Sequence, residues 1–379
     1  MRRALLAVVA LVAVLAAPVR AATTDSSPVA PTIAAASWYL VGEDGAVLAR
    51  NDASSPRAVA SITKLMTAVV ALEHTRLTDV VRVSPSAASI GESTVYLRAG
   101  QELTVADLVR ATLIPSANDA AEALALHVGS GSVDRFVELM NAKAAELGLS
   151  DTHFVNPHGL DESGHVSSAR DATTLVRFAL GVPFVRDALT RTSVSLPGGR
   201  TFPTTDDLLV GWKPLVGGKT GHTRDAGWSQ TAAAERAGVT VYGTVLGSDS
   251  RGARNDALRQ LLTFGLGQYH RVQVIDGVRI YASAETRYGQ PDAELVAQEP
   301  IVATLRNGTG LLERVVAPTA LALPVAKGVI VGRVEVYDGD RLVGASNLVT
   351  RAAIADVGSL AKARWYGSQT MRNAWEIVT

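Results

Sequence analysis

The sequence contains no cysteine among its 379 residues. That absence excludes disulfides, thiolate nucleophiles and cysteine-held zinc or iron–sulfur centres together. An excess of one charge is also missing, since 36 Lys and Arg balance 36 Asp and Glu. Nucleic-acid binding usually leaves a basic excess, so no nucleic-acid partner is expected. Past the N-terminal segment no apolar run is long enough to span a bilayer. There is no internal repeat and no His-Glu-x-x-His. His153, His158 and His165 lie close in sequence but without the spacing of a helical zinc pair. No metal and no cofactor are expected.

What is present suits a folded chain: 47% of residues are hydrophobic and 19% charged. The length allows one large domain and a smaller one around substantial cores. Arg2 and Arg3 precede an apolar run from Ala4 to Ala17, and Val19-Arg20-Ala21 places small residues for a signal peptidase. Residues 1–22 therefore read as a signal peptide cleaved after Ala21 or Ala22, which implies export to the cell envelope, in the periplasm or on the extracytoplasmic face. The run is short for an uncleaved membrane helix and lacks a strong charged stop. Without disulfides, the exported chain must be held by its core alone.

Residues 23–33, rich in Ser, Thr, Pro and Ala, read as a linker. Ser37–Val41 and Ala46–Ala49 read as strands joined by a turn at Gly42–Gly45. Ile62–Leu77 is apolar nearly all round and predicts a helix inside a core. Helices are predicted over Thr104–Ile114 and Asp119–Val128, broken at Pro115-Ser116-Ala117-Asn118, and over the amphipathic Val133–Leu147. Ser168-Ala169-Arg170-Asp171 reads as a capping box opening a helix to Leu180, and Asp171 as a cap. Strands over Ala226–Ala234 and Val239–Gly247 flank the turn Glu235–Gly238, and Arg254–Gly265 returns to helix. Residues 34–267 are thus an α+β domain, a sheet covered by helices with a helical subdomain. Residues 268–353 carry short alternating runs such as Ile301–Leu305 and Val329–Val336, which predict a small all-β domain.

Three short motifs carry chemistry. Ser61-Ile62-Thr63-Lys64 places a serine and a lysine on one helix face, where the amine can meet the hydroxyl. A lysine in a dry site can lose its charge and act as base for the serine. About one Ser-x-x-Lys arises by chance in a chain this long, and alone it reads as a capping serine with a surface lysine. Here the surrounding helix is apolar, which places Lys64 among core residues. Ser116-Ala117-Asn118 sits at a helix break, where a hydroxyl can relay a proton and an amide can hold a peptide. Lys219-Thr220-Gly221-His222-Thr223 precedes a hairpin: Lys219 supplies positive charge, Thr220 and Thr223 hydroxyls, and Gly221 room for a close backbone.

Ser-x-x-Lys, Ser-x-Asn and Lys-Thr-Gly, in that order, resemble the signature of penicillin-binding proteins and class A β-lactamases. With Ala60–Thr67, Ser116–Ala121, Asn156-Pro157-His158-Gly159-Leu160 and Lys219–Thr223, the chain resembles low-molecular-mass penicillin-binding proteins of the D-alanyl-D-alanine carboxypeptidase family. The resemblance runs over about Ala34–Gly265 and more weakly over Leu323–Val349. It implies a β-lactamase/transpeptidase-like domain and a serine carboxypeptidase that trims peptidoglycan stem peptides and takes β-lactams as covalent inhibitors. It further implies Ser61 as nucleophile, Lys64 as base and Ser116 as relay. Asn118 would hold the peptide, and Lys219, Thr220 and Thr223 the terminal carboxylate. The backbone N–H groups of Ser61 and His222 would form the oxyanion hole, and the Lys219 charge would help keep Lys64 neutral.

The chain departs from the family pattern in Thr204-Thr205-Asp206-Asp207 and Gly217-Gly218, where relatives often carry Asn or Arg and an Asp. A β-lactamase on the same fold would need a carboxylate that drives water. The loosely similar Glu138-Leu139-Met140-Asn141 lies inside a predicted helix, and lactamases usually lack a β domain. A silent wall-binding protein is the third reading, against which the triple motif stands intact. In residues 354–379, Val357, Leu360, Ala361, Met371, Trp375 and Val378 share a helical face with Trp365 at its margin, while Lys362, Arg364 and Arg372 add positive charge. Such a tail suits either peripheral membrane contact or packing on the β domain.

Overall fold

Polar residues mark where several of the helices begin. Thr104, Ser132, Ser168 and Ser250 each accept a backbone N–H at the head of a helix. These helices run Val105–Leu113, Val133–Glu146, Ala169–Gly181 and Arg251–Gly267. Such a cap typically contributes about 1 kcal/mol. At Ser168 the serine caps as expected, accepting from Asp171 N at 3.2 Å. Asp171 does not complete a box: its carboxylate accepts from Asp151 N (2.7 Å) and Thr152 Oγ1 (2.9 Å), tying down the preceding loop.

The computed structural model describes residues 12–19 and 31–378. They divide into two units, one of Pro28–Gln268 and one that joins Tyr269–Thr379 to the N-terminal segment. In the first unit five antiparallel strands pair in the order Val47–Asn51, Ser37–Gly42, Val239–Ser248, Gly227–Arg236, Leu215–Thr223. The strand with the Lys-Thr-Gly motif is therefore an edge. Its partner pairs Lys219 with Thr231 and His222 with Trp228.

Lys64–His74 is the apolar helix, with Leu65, Met66, Ala68, Val69, Val70 and Ala71 buried. It packs against Val105–Leu113, Asn118–Val128, Val133–Glu146 and Ala169–Gly181. Each large side chain so buried contributes about 1.5–3 kcal/mol. The helix is shorter than its apolar run. Ala60–Thr63 forms a 3₁₀ turn ahead of it, with Ala60 at φ +49°, and the chain extends at Thr75. Two glycine-bearing segments, at Gly159 and Gly221, pack closely against this turn. Past the C-terminus, Asp79 accepts from Arg76 N and fixes a turn.

In the second unit, six strands pair in the order Val12–Val19, Leu311–Pro318, Ile330–Asp338, Arg341–Thr350, Ala293–Ala297, Ile280–Ala284. A further pair joins Tyr269–Ile275 to Ile301–Arg306. Leu295, Leu311, Val315, Val334, Val336 and Leu348 form its core, at the period of two expected for half-buried strands. Val12–Val19 falls within the segment read as a signal peptide. The flanking parts of that segment and most of the linker lie outside the described residues. The tail forms a helix, Ser359–Val378, whose Trp365 and Tyr366 rings meet Tyr288 edge-on. Leu360 and Met371 are exposed; the side chains of Arg372, Trp375 and Val378 lie outside the described residues. Among the described residues no helix is long and apolar enough to cross a membrane.

Candidate active site

Ser61 sits in the 3₁₀ turn and Lys64 opens the α-helix behind it. The i, i+3 spacing brings Lys64 Nζ to 2.7 Å from Ser61 Oγ. Lys64 is fully buried, and its amine also donates to Asn118 Oδ1 at 2.6 Å and to the His158 carbonyl at 2.7 Å. Two of the three partners are carbonyl oxygens that can only accept. A neutral amine therefore spends both N–H bonds on them and turns its lone pair to the serine hydroxyl. Burial pushes Lys64 well below its ordinary value, and the charge of Lys219 pushes it further down. The neutral form that the base role requires is thus favoured by position.

Ser116 and Asn118 come from the break between helices Val105–Leu113 and Asn118–Val128. Ser116 is held at φ +66° and is nearly buried. A non-glycine residue in that region is strained, a condition common at functional sites. Asn118 is clamped by the loop across the mouth: its N donates to Ser93 O (2.7 Å) and its Nδ2 to Gly91 O (3.1 Å). The amide is thereby oriented with its oxygen toward Lys64 Nζ.

The edge strand Leu215–Thr223 passes close to the serine turn because Gly221 has no side chain. A Cβ there would lie 2.7 Å from Val59 O, 3.1 Å from Ala60 Cβ and 3.3 Å from Ser61 N. The backbone at Gly221–His222 is so held beside the Ser61 amide. The His222 ring itself stacks on Trp228 with centroids 3.9 Å apart. Lys219 is buried and donates to the Thr220 carbonyl at 3.1 Å, and the Thr220 hydroxyl shares a hydrogen bond with Thr205 at 2.7 Å. The Thr223 hydroxyl, at the end of the strand, donates to Asp161 Oδ1 (2.5 Å) and accepts from Ala226 N (3.1 Å).

The Asn156–Leu160 run forms the third wall. Asn156 Oδ1 accepts from Gly159 N at 2.7 Å, and Thr67 Oγ1 donates to the Pro157 carbonyl at 2.5 Å. These bonds aim the His158 carbonyl at Lys64. Burial holds the His158 imidazole down at about 3 and His165 at about 4, so both are neutral at ordinary pH. His165 Nδ1 accepts from Val155 N, which leaves Nε2–H to donate to Thr63 Oγ1 at 2.7 Å. Of the three clustered histidines, His165 thus braces the serine turn through its ring, and His158 meets Lys64 through its backbone carbonyl. His153 is exposed and bonds the Gly164 carbonyl.

Two further charged residues shape the surroundings of Lys219. Arg254, from helix Arg251–Gly267, is 2% exposed and lies 3.7 Å from Asp207. Asp206 is buried, accepts from Leu208 N at 3.0 Å, and its charge supports a cation at Lys219. Burial pushes Lys219 down to about 7, with Arg254 adding to the fall and Asp206 opposing it. Asp206 was legible as a departure from the family pattern; Arg254, thirty-five positions beyond Lys219, carried no local signal.

A five-stranded antiparallel sheet, an apolar helix headed by a serine–lysine pair, and a Lys-Thr-Gly edge strand beside that serine define a serine hydrolase of the penicillin-recognising fold. The D-alanyl-D-alanine carboxypeptidase family model matches residues 22–250. The chain is 31% identical over 309 residues to D-alanyl-D-alanine carboxypeptidase DacF of Bacillus subtilis strain 168, covering 78% of this chain and 79% of the relative. It is 34% identical over 286 residues to the D-alanyl-D-alanine carboxypeptidase of Streptomyces sp. strain K15, covering 70% and 98%. Among solved structures, penicillin-binding protein 5 from Haemophilus influenzae superposes with a TM-score of 0.62 at 27% identity, over 86% of this chain and 99% of that one. The chain belongs to the D-alanyl-D-alanine carboxypeptidase family of serine peptidases.

Proposed function

We propose that the protein removes the terminal D-alanine from peptidoglycan pentapeptide stems through an acyl-enzyme on Ser61. Ser61 Oγ attacks the penultimate D-alanine carbonyl while neutral Lys64 takes its proton. The backbone N–H groups of Ser61 and His222 receive the oxyanion; one such donor is typically worth about 3 kcal/mol. The C–N bond then breaks, and the departing D-alanine nitrogen takes a proton through the Ser116 hydroxyl while Asn118 holds the stem. Lys219, Thr220 and Thr223 bind the terminal carboxylate. Water, losing its proton to Lys64 or the Ser116 relay, hydrolyses the ester and frees Ser61. A β-lactam enters as a strained stand-in for the D-alanyl-D-alanine amide.

The observation that carries this reading is the Lys64 amine, bound by two obligate acceptors and directed at Ser61 Oγ at 2.7 Å. Release of free D-alanine from a synthetic pentapeptide tests it, with Ser61→Ala as the control. Turnover by wild type and none by the variant is expected; equal release by both would refute the assignment.

Export and a peripheral membrane contact belong to the same proposal. Support comes from the leader pattern in residues 1–22 and from the exposed Leu360 and Met371 on the tail helix. Mature protein lacking residues 356–379 should lose binding to anionic vesicles, and unchanged binding would remove the anchor.

A further inference from the structure

The loop of residues 90–97 is held in place by the corner at Asn118 and Asp119. Asn118 N donates to Ser93 O at 2.7 Å and its Nδ2 to Gly91 O at 3.1 Å. The Asp119 carboxylate accepts from Val95 N (3.2 Å) and Leu97 N (2.9 Å). Glu92 is thereby fixed between the two carbonyls that grip Asn118, and Asn118 Oδ1 in turn accepts from Lys64 Nζ at 2.6 Å. Asn118 links the loop to the lysine. Glu92 stands at φ +64°, a conformation that glycine adopts without strain. Its side chain is exposed and makes no hydrogen bond or ion pair among the described residues that would offset the strain. A strained residue beside a reacting group points to a function.

During acylation Ser61 Oγ gives its proton to Lys64, and a buried amine becomes an ammonium. Burial opposes that charge, and the charge of Lys219 opposes it further. Most groups around the lysine answer it weakly. His158 and His165 are neutral, and Glu122 lies against His158, 4.0 Å from Nε2. The Asp119 carboxylate is divided among the N–H groups of Val95, Leu97 and Ala120. Glu92 and Asp119 are the two carboxylates whose charge favours a cation at Lys64, and Glu92 has the larger effect.

We propose that Glu92 is a positioning residue for the reaction, its carboxylate held by the loop where it stabilises the ammonium that Lys64 becomes as Ser61 attacks. The inference rests on Lys64 as the base. A triad carboxylate does the same for the imidazolium that forms on its general base. The charge acts in two opposed ways. It lowers the barrier to proton transfer, and it also favours the protonated, inactive lysine in the resting enzyme. Removing it should therefore slow the plateau rate and move the acid limb of activity to lower pH. A loop that only supports Asn118 would change the rate and leave the limb in place.

The test is the pH profile of acylation by benzylpenicillin, measured from about pH 4 to about pH 9, where the acid limb reports Lys64 in the free enzyme. Glu92→Gln should move that limb down by about 0.3–0.5 pH unit and lower the plateau about two- to threefold, the scale of one exposed charge acting through water. Glu92→Asp should keep the wild-type limb. Glu92→Gly, which relieves the strain and removes the charge, should match Glu92→Gln. High salt, about 1 M, should bring the wild-type limb toward that of Glu92→Gln and move the variant far less, because an exposed charge is screened and buried ones are not. An unmoved limb in Glu92→Gln, or a wild-type profile in Glu92→Gly, would overturn the inference and leave Ser61 and Lys64 in their roles. If wild-type acylation shows no acid limb, or none occurs, the reading of Lys64 fails and the inference falls with it.

Discussion

Gly159 runs against Ala60 with no room for a side chain, since a Cβ there would strike the Ala60 carbonyl and approach Thr63 Oγ1 to 2.9 Å. Gly159 also holds φ +84°, a conformation that side chains disfavour. The contact fixes two things together: the turn that presents Ser61, and the neighbouring His158 carbonyl that accepts a hydrogen bond from Lys64.

Gly159→Ala should therefore damage chemistry and stability at once. A shift of about 1 Å in a reacting group can lower rate by about 100-fold. Acylation by penicillin, followed by mass, should slow on that scale, and the melting temperature should fall. Wild-type acylation in this variant would mean that the wall formed by Asn156–Leu160 does not position the serine.

Lys219 at about 7 sets a pH limit on substrate binding. Below that pH the amine is charged and holds a carboxylate; above it the charge is lost. KM for a free-acid peptide should rise as pH passes through about 7, roughly tenfold per unit once the limb is reached, while KM for the peptide amide stays flat. Lys219→Ala should likewise harm the free acid far more than the amide.

Asp206 opposes the fall at Lys219. Asp206→Asn removes that support, so the KM limb should move to lower pH. The ratio of free-acid to amide KM, measured from pH 5 to 9, reads this directly. A limb that does not move would place Asp206 outside the electrostatics of the carboxylate site.

The alternation of helices and strands and the burial of Lys64 were readable because each follows from local pattern. The apolar run around Lys64 left a charged amine nowhere to go but inside. What stayed hidden depends on contacts far apart in sequence. The 3₁₀ turn at Ala60–Thr63 packs against Gly159 and Gly221, which lie about a hundred residues or more away. Thr223 meets its hydrogen-bond partner Asp161 across 62 positions. Arg254 entered through a helix whose sequence gives no hint that one of its arginines points inward.

Deacylation separates this enzyme from a β-lactamase on the same fold. On the proposed mechanism, water depends on Lys64 and Ser116. D-alanine leaves after acylation and opens a path for water, whereas the penicillin leaving group remains tethered and obstructs it. The penicilloyl form should outlast the peptide acyl-enzyme by at least tenfold, which needs only about 1.4 kcal/mol in barrier. Rapid penicilloate release without D-alanine release would favour the lactamase.

The nucleophile can be located by intact-protein and peptide mass spectrometry after incubation with benzylpenicillin. One adduct per chain should appear, carried on the peptide that contains Ser61, and Ser61→Ala should carry none. An adduct on any other residue, or labelling that survives Ser61→Ala, would contradict the assignment of Ser61 and the lysine that serves it.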